Sequence, residues 1–129
     1  MFKEIYYWMT TRLSKIKSND NPPFNAYFMI CFLQGFNIET IFIVVNYFTK
    51  IHFAKNSYIY WGLLEAFILF LINYNTLYKN KNEIYEKYVK IDSKRKTKGL
   101  IFFWLYVSIS IILFFVAAAY LVTPNYLQK

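Results

Sequence analysis

Apolar positions gather in three long runs, residues 26–48, 58–78 and 100–122, separated by strongly polar connectors. At about 1.5 Å per residue, helices of these lengths measure roughly 31 to 35 Å, which matches a hydrocarbon core of about 30 Å. The first two runs carry one charged residue each, Glu39 and Glu65, and the third carries none. This pattern predicts an all-α integral membrane protein with three transmembrane helices. It divides the chain into an N-terminal segment, residues 1–24, and a membrane domain, residues 25–129.

The connectors have patterns of their own. Phe2, Ile5, Tyr6, Met9, Leu13 and Ile16 recur at helical spacing, while Lys3, Thr10, Ser14 and Lys17 occupy another face. Tyr7 and Trp8 widen the apolar side, so residues 2–17 read as an amphipathic interfacial helix lying at headgroup level. The competing expectation is a helix packed against the ends of the spans. The pattern stops at Ser18-Asn19-Asp20-Asn21-Pro22-Pro23, a cluster of turn formers whose prolines suit the first turn of the next helix. After the second run, Ile84, Tyr88 and Ile91 form a stripe among charges, and Glu83 and Glu86 stand four residues before Lys87 and Lys90. No Pro or Gly occurs between Leu63 and Lys98. The second span is therefore expected to extend into the cytoplasm as one long helix ending near Gly99, its stripe serving as a docking or self-association face.

Charge sets the expected orientation. Lys3, Arg12, Lys15 and Lys17 precede the first run, and Lys79, Lys81, Lys87, Lys90, Lys94, Arg95, Lys96 and Lys98 lie between the second and third. Together they are all of the 15 basic residues except Lys50, Lys55 and Lys129. Basic residues in short loops favour the cytoplasmic side, which predicts a multi-pass cell-membrane protein with its N-terminus and second loop inside and its C-terminus outside. Lys94, Arg95, Lys96 and Lys98 abut the third run, where anionic headgroups attract each at about 1 kcal/mol. The net charge of +8 thus reads as topology and lipid contact, and no nucleic-acid-binding motif accompanies it. Tyr and Trp near the run ends suit both membrane interfaces. The first run is too long for a signal-peptide core, and no small-x-small pattern follows it.

Candidate chemistry is sparse. Cys31 is the only cysteine and His52 the only histidine, so a disulfide within the chain is impossible and a metal centre is not expected. No Ser/His pairing or carboxylate cluster supports catalysis, and no cofactor motif is present; an enzyme is not expected. What remains is the pair of intramembrane carboxyls, which are functional candidates by default. Counted from the outer ends of their runs, Glu39 and Glu65 fall at depths of about 13 and 10 Å, close enough to meet if the helices are suitably rotated. Gly35, Glu39 and Asn46 share one helical face; Gly62, Glu65, Ala66, Asn73 and Thr76 share another. None of the three runs contains Lys, Arg or His to pair with either carboxyl. Glu39, Glu65, Asn46 and Asn73 form a candidate polar path. It leads to a homo-oligomeric, cation-permeable channel or pore-forming effector in a bilayer with anionic headgroups. The alternative is a non-catalytic accessory or scaffold subunit whose polar residues are hydrogen-bonding glue between helices or toward a membrane-protein partner.

Overall fold

The computed structural model describes residues 1–50 and 55–122; His52 and the C-terminus, whose side of the membrane was expected above, lie outside them. Every regular element among the described residues is helical. The helices are α1 (Phe2–Leu13), α2 (Pro22–Thr49), α3 (Lys55–Asn73), α4 (Lys81–Val89) and α5 (Ser93–Ala117). A π-helical turn, Tyr74–Tyr78, continues α3, and a second, Ala118–Val122, continues α5.

Local chemistry accounts for the helix boundaries. Asn21 caps α2, its side chain accepting from Phe24 N–H at 3.3 Å, and Pro22 and Pro23 occupy the first turn. There a missing N–H costs nothing, because those donors have no intrahelical partner. At the other end Lys50 takes up the left-handed conformation (φ 54°), and its N–H donates to Asn46 C=O at 2.9 Å. This is the usual way to terminate a helix, though glycine is the residue that adopts it without penalty.

Two helices are long and apolar enough to cross a membrane, Pro22–Thr49 and Ser93–Leu121. Only 17% of the apolar window of each is buried within the protein. The core helix of a water-soluble protein would hide that surface; here it remains outside. At 29 residues the second is about 43 Å long, more than a hydrocarbon core of about 30 Å.

The helices are arranged around α2, with α1, α3 and α5 all packed on it. Most of the buried core lies at one end of the molecule. It joins Ile5, Tyr6, Tyr7 and Met9 of α1 to Ala26, Tyr27 and Ile30 of α2, Leu77, Ile84 of α4 and Phe103 of α5.

Two expectations require correction. The second span does not continue as one helix to Gly99. The chain turns at Lys79–Asn80, forms α4, turns again before Ser93, and Gly99 lies inside α5. A helix can stop without Gly or Pro when its last carbonyls are satisfied otherwise. Here the Asn80 side chain donates back to Asn75 C=O at 2.9 Å and to Thr76 C=O at 3.4 Å. The break lets Ile84, 2% exposed, swing onto α1, where Tyr7 stacks on Tyr88 at 5.7 Å. The stripe on α4 is thus a docking face, and its partner is α1.

The second correction concerns α1. Its apolar face, expected at headgroup level, is covered by α2, α4 and α5, and the helix ends at Leu13, leaving Ile16 exposed beyond it. Tyr6 hydroxyl donates to Pro23 C=O at 3.1 Å, tying α1 to the start of α2. Protein surface at the ends of α2 and α5 buries those side chains as fully as lipid can and adds hydrogen bonds that lipid tails lack.

Candidate functional site

Polar side chains punctuate the seam between α2 and α3. Tyr27 hydroxyl donates to Phe70 C=O at 3.1 Å, and Cys31 Sγ lies 3.8 Å from Leu69 C=O. One turn on, Asn73 Nδ2 donates to Gln34 Oε1 at 2.6 Å and lies 3.4 Å from Cys31 Sγ. Further toward the other end of the seam come Glu39 and Glu65. Each carboxyl reaches across to the opposing helix: a methyl group placed on Gly35 would sit 3.6 Å from Glu65 Oε1, and one on Gly62 would sit 4.0 Å from Glu39 Oε1. These are ordinary van der Waals separations, so a Cβ would fit at either position, and Gly62 begins the small-x-x-x-small spacing that ends at Ala66.

The carboxyl of Glu65 faces that of Glu39. Ionised carboxylates accept hydrogen bonds but donate none. Glu65 Oε1 is buried and receives no hydrogen bond among the described residues. A proton shared by the two carboxyls, a water donating to both, or a cation between them completes this arrangement.

The structure brings together two of the four residues in the candidate path. Asn73 is buried but lies roughly 12 Å along α3 from Glu65, closed off by Gln34 and Cys31. Asn46 is half-buried, about 10 Å along α2 from Glu39. Lys94, Arg95 and Lys98 are exposed on the first turns of α5, and Lys96 is half-buried.

Other polar contacts escaped the sequence reading. Asn37 Nδ2 donates to Tyr106 hydroxyl at 2.9 Å, linking α2 to α5, and Ser110, one turn further along α5, is buried. Gln34 and Asn37, three apart in the same apolar run as Glu39, were the available signal. They serve different seams, Gln34 toward α3 and Asn37 toward α5.

A tight junction of a different kind joins α1 to α5. A Cβ added to Gly99 would collide with the Glu4 carboxyl and come within 2.8 Å of Trp8 Nε1. Trp8 Nε1 is itself buried and meets no acceptor among the described residues. Burial pushes the Tyr6 hydroxyl up to about 12. Burial likewise raises Tyr88, with Glu4 adding to the shift and Arg95 opposing it.

No protein family, curated protein or solved structure matches this chain.

Proposed function

We propose that the chain is a three-span membrane protein that assembles into a homo-oligomeric, cation-permeable channel, with Glu39 and Glu65 as its cation-binding element. The carrying observation is the facing carboxyl pair, whose buried acceptor on Glu65 meets no donor among the described residues. The second of the three spans is α3 with its π turn, whose Ile59, Leu63, Phe67 and Leu71 are exposed as lipid-facing side chains would be. Within one chain α3 and α5 flank α2 without enclosing a lumen among the described residues, so a continuous path needs further copies. The basic residues place the N-terminus and α4 in the cytoplasm, where Lys94, Arg95 and Lys98 meet anionic headgroups. An impermeant thiol reagent on intact cells should then leave a cysteine at Ser93 unlabelled; labelling there overturns this orientation.

Glu39→Gln and Glu65→Gln keep shape and hydrogen-bonding capacity but remove the negative charge. In proteoliposomes each should weaken cation flux or selectivity while leaving assembly intact. A second reading, an accessory subunit, is favoured by Gln34, Asn37, Asn73 and Tyr106, whose hydrogen bonds close within the chain. Properly assembled protein that conducts no cation, with both Gln variants silent, would put that reading ahead.

A further inference from the structure

The carboxyl pair opens onto a groove of about 350 Å³ between α2 and α3, with Phe42, Trp61, Leu64 and Ile68 in its walls. That volume falls in the range of small-molecule sites, which are mostly apolar with a few placed polar groups. The mouth faces sideways: Trp61 is 58% exposed, and Leu64 and Ile68 are nearly half exposed. If these helices cross the bilayer, that side meets lipid, so an occupant enters from the hydrocarbon phase.

Three kinds of occupant compete for a negative site in such a groove. A small metal ion requires six or more oxygen ligands, or retained waters. The groove offers two carboxyls in apolar walls, and among the described residues no three His, Cys, Asp or Glu side chains gather. A second copy of the chain brings no Lys, Arg or His in its apolar runs, so it has no positive charge to place there. An organic ammonium ion answers both features. Its charge complements Glu39 and Glu65, its alkyl groups match Leu64 and Ile68, and Trp61, which lines the groove, carries the aromatic ring that attracts cations most strongly.

We infer that Glu39, Glu65 and Trp61 form a lateral binding site for lipophilic organic ammonium ions. This rests on the reading of the carboxyl pair as a cation-binding element within the membrane, but not on conduction.

The test uses the full chain in lipid nanodiscs with radiolabelled tetrapropylammonium, and with 4,4-dipropylheptane as its neutral isostere. Saturable binding is expected for the cation and not for the isostere. The Glu39→Gln/Glu65→Gln double variant should abolish it. Trp61→Leu should weaken it by about three- to thirtyfold, the span of a cation–π contact, with Trp61→Phe retaining part of the loss. A measurement on the unaltered protein guards against misfolded variants: tetrapropylammonium should protect Glu39 and Glu65 from a lipophilic carbodiimide, read by mass spectrometry. Equal binding of cation and isostere, binding unchanged in a folded double-Gln variant, or absence of protection would each overturn the site. Rubidium flux in proteoliposomes separates the two proposals. Flux lost in the Gln variants without tetrapropylammonium binding leaves the channel and removes the ammonium site. Binding without flux supports the ammonium site and removes the channel.

Discussion

The two ends of this molecule solve the same problem, excess apolar surface, in opposite ways. At the end formed by α1, α4 and the starts of α2 and α5, apolar side chains disappear into a protein core; Ile5 is 0% exposed. Along the rest of α2, α3 and α5 the apolar side chains stay outside, as Ile41 does at 64%. Composition does not distinguish the two, since both are rich in Ile, Phe and Tyr. The difference lies in what surrounds each region. Short amphipathic helices have one apolar stripe to cover and find each other, whereas helices apolar on every side leave surface that only a nonpolar solvent accepts. The polar groups follow the same division. In the long helices Gln34 and Asn73 meet in the α2–α3 seam, and Asn37 and Tyr106 meet in the α2–α5 seam.

The sharpest way to break this comparison is a matched pair of truncations. Ile5→Ala empties a filled site and should cost about 2–5 kcal/mol. Ile41→Ala removes side chain that the protein does not pack, and should leave helix association nearly unchanged. Unfolding of both variants in mixed micelles measures the difference; equal costs would mean that α1 does not dock as described. A smaller effect is expected at Gly99, where Glu4 and Trp8 leave no room for a Cβ. Gly99→Ala should loosen α1 by about 1–3 kcal/mol, the usual cost of overpacking. Trp8 should then become more accessible to aqueous quenchers. Unchanged quenching would show that the junction yields without strain.

The smallest effect concerns Tyr6. Tyr6→Phe removes the bond to Pro23 and should cost about 0.5–1.5 kcal/mol at neutral pH. The sign of its pH dependence follows from its raised value. The neutral phenol is the form that the docked helix holds, so this stabilisation is complete below the ordinary tyrosine value near 10 and is lost as pH rises through about 12. Docking of α1, followed by Trp8 fluorescence against tyrosinate absorbance, should weaken over that window in the native chain and less so in Tyr6→Phe. An identical alkaline response in both would remove Tyr6 from the junction.

Periodicity and composition by themselves determined that the chain is helical, and placed the two helices long enough to cross a bilayer. Those are local properties, carried by runs of twenty or more apolar residues and by Asn21-Pro22-Pro23 at a helix start. Matched depth of Glu39 and Glu65 was also legible, because rise per residue is constant along a helix. Rotation was not. Whether two side chains at one level face each other depends on which ridges of α2 and α3 interlock, and that is settled by all the side chains of both helices together. The turn at Lys79–Asn80 was hidden for a similar reason: no residue there forbids a helix. The gain that ends it, burial of Ile84 and Tyr88 against Tyr7, comes from a segment more than seventy residues earlier in the chain. Tertiary structure likewise decided that α1 covers its apolar face with protein. An amphipathic stripe states only that something nonpolar must lie against it, and the ends of α2 and α5, with α4, supplied it.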